Sequence, residues 1–225
     1  MINIINKLLL LITLLIVGEV NGQEFLFKVK YGLIHAGTAK MIQQIEDGIL
    51  TSSLTIESSP WLSNLWTLSD SVLSIYDIEQ KRMISHTKAI HEGSYHRNYQ
   101  VEFIDSSKIK INNKIKDIDA QGLRDIPSLL HELSLTKLSN GDTLRYRLWD
   151  GKRYGDLNLR VERTSKPSLF RPFQDQGWHL TPLSSTRKTR ENKIKLALLM
   201  SKSLPHKPLK IQIDTKYGDV IMRLE

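Results

Sequence analysis

The chain has no cysteine. Disulfides, thiolate metal sites and cysteine nucleophiles are therefore excluded, and so is a lipoprotein anchor, which needs a cysteine just after the signal cleavage site. After the first 22 residues no apolar stretch approaches the roughly 20 residues that span a bilayer as a helix. Phosphate-cradling and dinucleotide glycine patterns are missing, as are Gly-x-Ser-x-Gly and His-Glu-x-x-His. No cofactor and no metal is expected on these grounds. His86, His91 and His96 are five residues apart, a spacing that converges imidazoles neither along one strand nor along one helix. Serines, histidines and acids are abundant, but abundance alone selects no catalytic set, so no catalytic residue is named.

The first 22 residues read as a signal peptide. Lys7 supplies a positive start, Leu8 to Val17 form an apolar run broken by Thr13, and Val20-Asn21-Gly22 offers small residues for cleavage before Gln23. The other reading of this run is an uncleaved anchor helix. Export to the periplasm or cell envelope, or beyond it, is the expectation, with residues 23–225 forming one domain. A domain of this size can bury a core without disulfide staples.

Charge is divided along the chain. Residues 23–139 carry 13 Lys and Arg against 14 Asp and Glu, whereas residues 140–225 carry 18 against 9, a net of +9. In an exported protein such an excess suits lipid head groups or other anionic envelope components rather than nucleic acid. A solvated basic face that aids solubility is the plainer account.

Most of the chain alternates apolar and polar residues with a period of two. Phe25, Phe27 and Val29 begin the pattern, and Tyr31-Gly32-Leu33-Ile34-His35-Ala36-Gly37-Thr38-Ala39-Lys40 follows, its two glycines bracketing a turn or kink. Strands are predicted over 49–58, 70–77, 82–90, 94–103, 108–115, 143–149, 152–163, 193–201, 209–214 and 220–224. Asp150-Gly151 marks a hairpin turn. One stretch has helical spacing: Ile126, Leu129, Leu130 and Leu133 fall on a single face, Asp125 can cap it and Pro127 lies in its first turn. The helix is predicted over about Asp125 to Lys137. The fold class that follows is mainly β, an antiparallel, strongly curved sheet or partly closed barrel with one short packed helix.

Trp61, Trp66, Trp149 and Trp178 are the weak candidates for lining a ligand cavity, although tryptophans are more often core. Trp61 and Trp66, with Leu62 and Leu65, would pack as a lid. Phe170, Arg171, Phe173, Trp178 and His179 could form a basic, aromatic flap.

These segments together resemble the bacterial family catalogued as domain of unknown function 3108. The resemblance rests on Tyr31-Gly32-x-x-x-Ala36-Gly37-Thr38-Ala39, Asp125-Ile126-Pro127-Ser128-Leu129-Leu130, Asn140-Gly141-Asp142, Asp150-Gly151-Lys152-Arg153-Tyr154, and Pro208-Leu209-Lys210-Ile211 with Gly218. It implies an exported, mostly antiparallel β protein of the envelope, and it brings neither activity nor catalytic residues. His131-Glu132 departs from the pattern, where the family often has aromatic residues. The leading functional expectation is a non-enzymatic envelope protein that binds an apolar or amphiphilic ligand, or an envelope component, inside the curve. The alternative is a scaffolding module that docks another envelope protein, and a hydrolase stands behind both.

Overall fold

The structure, a computed structural model, describes residues 21–64, 67–163, 177–183, 195–215 and 218–225, without the side chains of Asn21 and Thr215. Residues 1–20 of the expected signal segment, Trp66 and most of the expected flap lie outside the described residues. In chain order the strands are β1 (Asn21–Tyr31), β2 (Ile34–Glu46), β3 (Ile49–Ser58), β4 (Ser69–Asp77), β5 (Arg82–Glu92), β6 (Tyr95–Phe103), β7 (Lys108–Ile111) and β8 (Lys114–Asp117). They continue with β9 (Leu123–Arg124), β10 (Thr143–Trp149), β11 (Tyr154–Arg163), β12 (Trp178–Pro182), β13 (Lys195–Met200), β14 (Pro208–Thr215) and β15 (Gly218–Leu224). Among the described residues two helices accompany them, α1 (Pro60–Ser63) and α2 (Ile126–Leu135).

All fifteen strands belong to one sheet, in the order β8-β7-β6-β5-β4-β3-β2-β1-β15-β14-β13-β12-β11-β10-β9. β1–β8 and β10–β15 are each an antiparallel meander, β9 adds to β10 in parallel, and the pairing of β1 with β15 joins the halves antiparallel. The sheet does not close by a ladder between its two end strands. It curls until its two halves approach: β9 lies against β5, and Trp149 on β10 meets Phe103 on β6 edge to face, ring centroids 5.7 Å apart. The fold class expected from alternation is the fold found.

The curl encloses two apolar clusters. The larger joins β1, β2 and β3 to β10–β15 through residues such as Phe27, Met41, Leu159, Leu180 and Met222, and Leu129, Leu130 and Leu133 of α2 fill it from the concave side. Each of these leucines is at most 2% exposed, which stabilises the fold by about 1.5–3 kcal/mol per side chain. The smaller cluster joins β3–β7 to β9 and β10 through Leu50, Tyr76, Met83, Phe103, Ile109, Leu123 and Trp149.

Helix α2 matches its sequence signature, with Asp125 as N-cap in a reciprocal capping box with Ser128 and proline in the first turn. It ends at Leu135, two residues short of the expected Lys137. Residues 108–115 differ from the single strand expected of them. Asn112 and Asn113 both take positive φ, so the run folds into the β7–β8 hairpin; asparagine tolerates that region better than most residues. Strand β12 has no counterpart in the expected pattern.

The two glycines of the opening motif do different work. Gly32 (φ +57°) makes the β1–β2 turn with open space around it, whereas Gly37 lies inside β2 opposite Ser58. The β1–β2 register shifts between Val29 and Lys30, so that Val29 faces Gly37 while Lys30 faces His35. At Gly37 a Cβ would lie 1.8 Å from the carbonyl oxygen of Glu57, so only glycine admits β3 that closely. Gly37→Ala should therefore cost about 3 kcal/mol or more, and Gly32→Ala only about 1 kcal/mol, the ordinary penalty of a left-handed non-glycine residue. Denaturant melts of the two variants would measure the difference.

Candidate functional site

The apolar stripe on the concave face is interrupted at one level. Gln43 on β2 pairs in register with Ser52 on β3, Ser52 with Ser74 on β4, and Ser74 with His86 on β5. All four side chains are buried, and together they form a polar rung across four adjacent strands. Between Ile75 and Tyr76 the β4–β5 register shifts, so that Ser85 pairs with Ile75 and Met83 with Tyr76. This extra residue in β5 lets Met83 and His86 both turn inward.

The rung receives the N-terminus of α2. Gln43 Nε2 donates to the Pro127 carbonyl at 2.9 Å. His86 Nδ1 lies 3.2 Å from Asp125 Oδ2. The other carboxylate oxygen accepts from the Ser128 amide at 3.0 Å and from its hydroxyl at 2.6 Å. Asp125 is 1% exposed. Burial pushes its carboxyl up, but the hydrogen bond and charge of His86, with the hydroxyls of Ser128 and Ser74, outweigh that and hold it below the usual carboxylate range. Ser74 leans toward this carboxylate without completing a well-formed hydrogen bond. Beside the rung, the Tyr76 hydroxyl is buried without a partner, and burial pushes its pKa up to about 12.

The far side of His86 is closed by the β10–β11 hairpin. A Cβ on Gly151 (φ +100°) would lie 3.2 Å from His86 Nε2 and 3.0 Å from Lys88 Cδ. Lys88 Nζ donates to the Asp150 carbonyl at 3.3 Å. Next to the rung, Arg124 is 8% exposed; it pairs with Glu132, donates to the Gly122 carbonyl and lies over the Tyr146 ring.

A serine, a histidine and an aspartate thus meet, but in an order that does not make a nucleophile. The carboxylate stands between the other two: Ser128 gives its proton to Asp125 rather than to His86. A base-activated hydroxyl needs the imidazole in the middle. The arrangement is chemically a latch, in which a buried carboxylate fixes the helix start and ties it to β5.

The sequence candidates among the described residues lie apart from this rung and from one another. Trp149 is buried in the smaller cluster, Trp178 is half-buried at the rim of the larger one beneath the Arg163 guanidinium, and Trp61 on α1 is 51% exposed beside Leu62, which packs on the larger cluster. Trp66 lies outside the described residues. His91 and His96 are brought side by side across the β5–β6 hairpin, ring centroids 5.1 Å apart, while His86 is separate. Among the described residues no group of three or more metal-ligating side chains converges. The arginines of the β10–β11 hairpin differ in role: Arg145 and Arg160 are exposed, whereas Arg147 is held by Asp119 at 2.9 Å and by the Asp119 and Gln121 carbonyls.

The polar rung itself had a sequence signal. Gln43 sits between Met41 and Ile45, Ser52 between Leu50 and Leu54, and Ser74 between Val72 and Tyr76, so three successive strands each carry one polar residue in the inward apolar series.

An open, strongly curved antiparallel sheet with a helix on its concave side defines the class: β-barrel-like proteins. A solved β-barrel-like protein of the domain of unknown function DUF1849 from Brucella abortus is similar in fold, with a TM-score of 0.54 at 11% identity over 92% of this chain and 96% of that one. No curated protein matches the chain. The model of the protein family of unknown function DUF3108 matches residues 26–225, and the chain belongs to that family.

The latch fixes an acid response. Because the folded carboxyl of Asp125 is depressed below 3.8, its stabilisation is complete above that value and is lost as pH falls through the folded pKa. Asp125→Asn should lower stability at pH 7 by about 2–4 kcal/mol, by leaving His86 without its partner. It should also flatten the fall in stability below pH 4. Urea titrations of both proteins from pH 7 to pH 2.5 would read both effects.

Proposed function

We propose that the protein is an exported, non-enzymatic component of the bacterial envelope that holds an anionic envelope component, such as the head groups of anionic lipids, against the outer face of its sheet. The observation that carries this reading is a row of cations across three neighbouring strands. Lys210 on β14 pairs in register with Arg223 on β15, and Arg223 pairs with Lys28 on β1. Residues directly opposite in an antiparallel pair share a face with Cβ atoms about 5 Å apart, so the three charges form one compact source of positive potential. Lys28 and Arg223 are exposed. The net charge of +9 over residues 140–225 adds a longer-range field of the same sign.

The outer face is preferred to the concave one because α2 and its leucines occupy the interior of the larger cluster. A ligand inside the curve would have to displace a helix held at its start by the Asp125–His86 latch. Export is supported by the Lys7-led apolar run and by Val20-Asn21-Gly22. β1 begins at Asn21, so cleavage before Gln23 would leave nearly all of that strand in place.

Two measurements test the reading. Intact mass of the protein recovered from its own envelope fraction should equal that of residues 23–225; the mass of the uncleaved chain would overturn the cleaved-signal assignment. In flotation with vesicles at low salt, binding should require phosphatidylglycerol and fade with added salt. The double variant Lys28→Glu, Arg223→Glu should bind about 10-fold or more weaker, at about 1 kcal/mol per cation near an anionic surface. Equal binding to neutral phosphatidylcholine vesicles would reject the electrostatic reading.

A further inference from the structure

The turn that joins β1 to β2 holds its apolar side chains in water. Leu33 is 99% exposed and Ile34 53%. The turn stands clear of the body, since even a Cβ on Gly32 would meet nothing within 4 Å. A single exposed leucine carries little meaning, but this one has company. Because β1 to β6 pair antiparallel in sequence order, the β1–β2 turn, the β3–β4 connection and the β5–β6 turn all lie at one end of the sheet. Trp61 stands in the second of these at 51% exposure, and Tyr95 beside the third at 47%.

Backbone hydrogen bonds tie this end together. The Gly32 amide donates to the Asp219 carbonyl of β15 at 3.1 Å, the Ser59 amide before α1 to the Ala36 carbonyl of β2 at 2.9 Å, and the Gly93 amide to the Thr67 carbonyl at 2.7 Å. The apolar side chains are thus presented on a fixed frame. Charge accompanies them. Lys30 and Lys28, both exposed, precede Tyr31 by one and three residues on β1. On the neighbouring strands, Asp214 is paired with Lys195 and the Asp219 carboxylate accepts from Gln212. At about 3.3 Å per residue, Lys28 lies about 10 Å back from Tyr31 along the strand. Segments that lie in a membrane surface bury their apolar side to about 5–10 Å. Leu33 in the acyl boundary would therefore leave Lys30 and Lys28 among the head groups.

We propose that this end of the sheet seats in the surface of a lipid bilayer, with Leu33 and Ile34 entering the acyl boundary and Trp61 and Tyr95 resting at the head-group level. Tryptophan and tyrosine suit that level because each pairs an apolar ring with a polar group. The inference rests on the lipid-surface reading above and gives it an apolar part. Lys28 belongs to the cationic row, so the row lies at the depth where the seated turn places the head groups. Electrostatic attraction then draws the protein to the surface, and burial of Leu33 and Ile34 retains it there.

The chain has no cysteine, so a single introduced thiol can carry an environment-sensitive fluorophore at a known place. Leu33→Cys labels the turn. Leu204→Cys labels an exposed position in the connection that leads into β14, at the opposite end of the sheet. With phosphatidylglycerol vesicles at low salt, the label at position 33 should shift to the blue and be quenched by lipids brominated on their acyl chains, while the label at 204 stays in water. The unlabelled double variant Leu33→Ser, Ile34→Ser should bind about 10-fold or more weaker with its melting temperature retained. Should that variant misfold, the two labels decide. A label at 33 that stays in water on vesicle-bound protein overturns this inference and leaves the cationic row standing. A shifted label whose binding ignores salt and phosphatidylglycerol overturns the row and upholds the seat of Leu33. Absence of binding to any vesicle overturns both. The same shift on raising protein concentration without vesicles also overturns the inference, since it would assign the turn to a second copy.

Discussion

The structure depends on how a fifteen-stranded sheet is kept curled without a closing ladder. A barrel removes its edges by pairing the last strand with the first. Here the two ends meet through side chains and a helix. The seat of that helix is the Asp125 carboxylate, which binds the first turn of α2 on one side and His86 of β5 on the other. Around it the rung of Gln43, Ser52 and Ser74 keeps polar groups at the level where the helix start, with its unpaired amides, must be buried. Breaking such a buried pair leaves a polar group with no water to replace its partner, so the rung specifies the position of the helix as well as stabilising it.

The same closure explains why the core is divided. The larger cluster forms where β1–β3 face β10–β15 with α2 between them, and the smaller forms where the ends of the sheet come together near Trp149 and Phe103. Gly151 belongs to this join. Its missing side chain lets the β10–β11 turn close over His86 and Lys88, so a residue that reads as a hairpin glycine also serves as a contact between distant strands.

The His206 amide, in the segment leading into β14, donates to the Ser134 carbonyl of α2. The helix that fills the interior therefore also shapes one rim of the sheet. Interior and rim are mechanically one unit, while the cationic row of Lys28, Arg223 and Lys210 lies on the outer surface of the same seam.

The sequence by itself determined the elements. Period-two alternation gave most of the strands between Phe25 and Leu224, the spacing of Ile126, Leu129, Leu130 and Leu133 gave α2, and Asp125 with Pro127 gave its start, because each signal acts over a few residues and is repeated along the element. It also carried the family, through short motifs in a fixed order. It did not separate Gly32 from Gly37, since a turn and a close strand approach both demand the absence of a Cβ. Asn112 and Asn113 broke one expected strand into two, a local choice of φ that alternation does not encode. Only the tertiary structure decided that Gln43, Ser52, Ser74, His86 and Asp125 share one buried level, and that Trp61, Trp149 and Trp178 do not converge. These facts depend on register, and register is set by which strands meet across the curl, a relation between residues as distant as His86 and Gly151 that no local pattern contains.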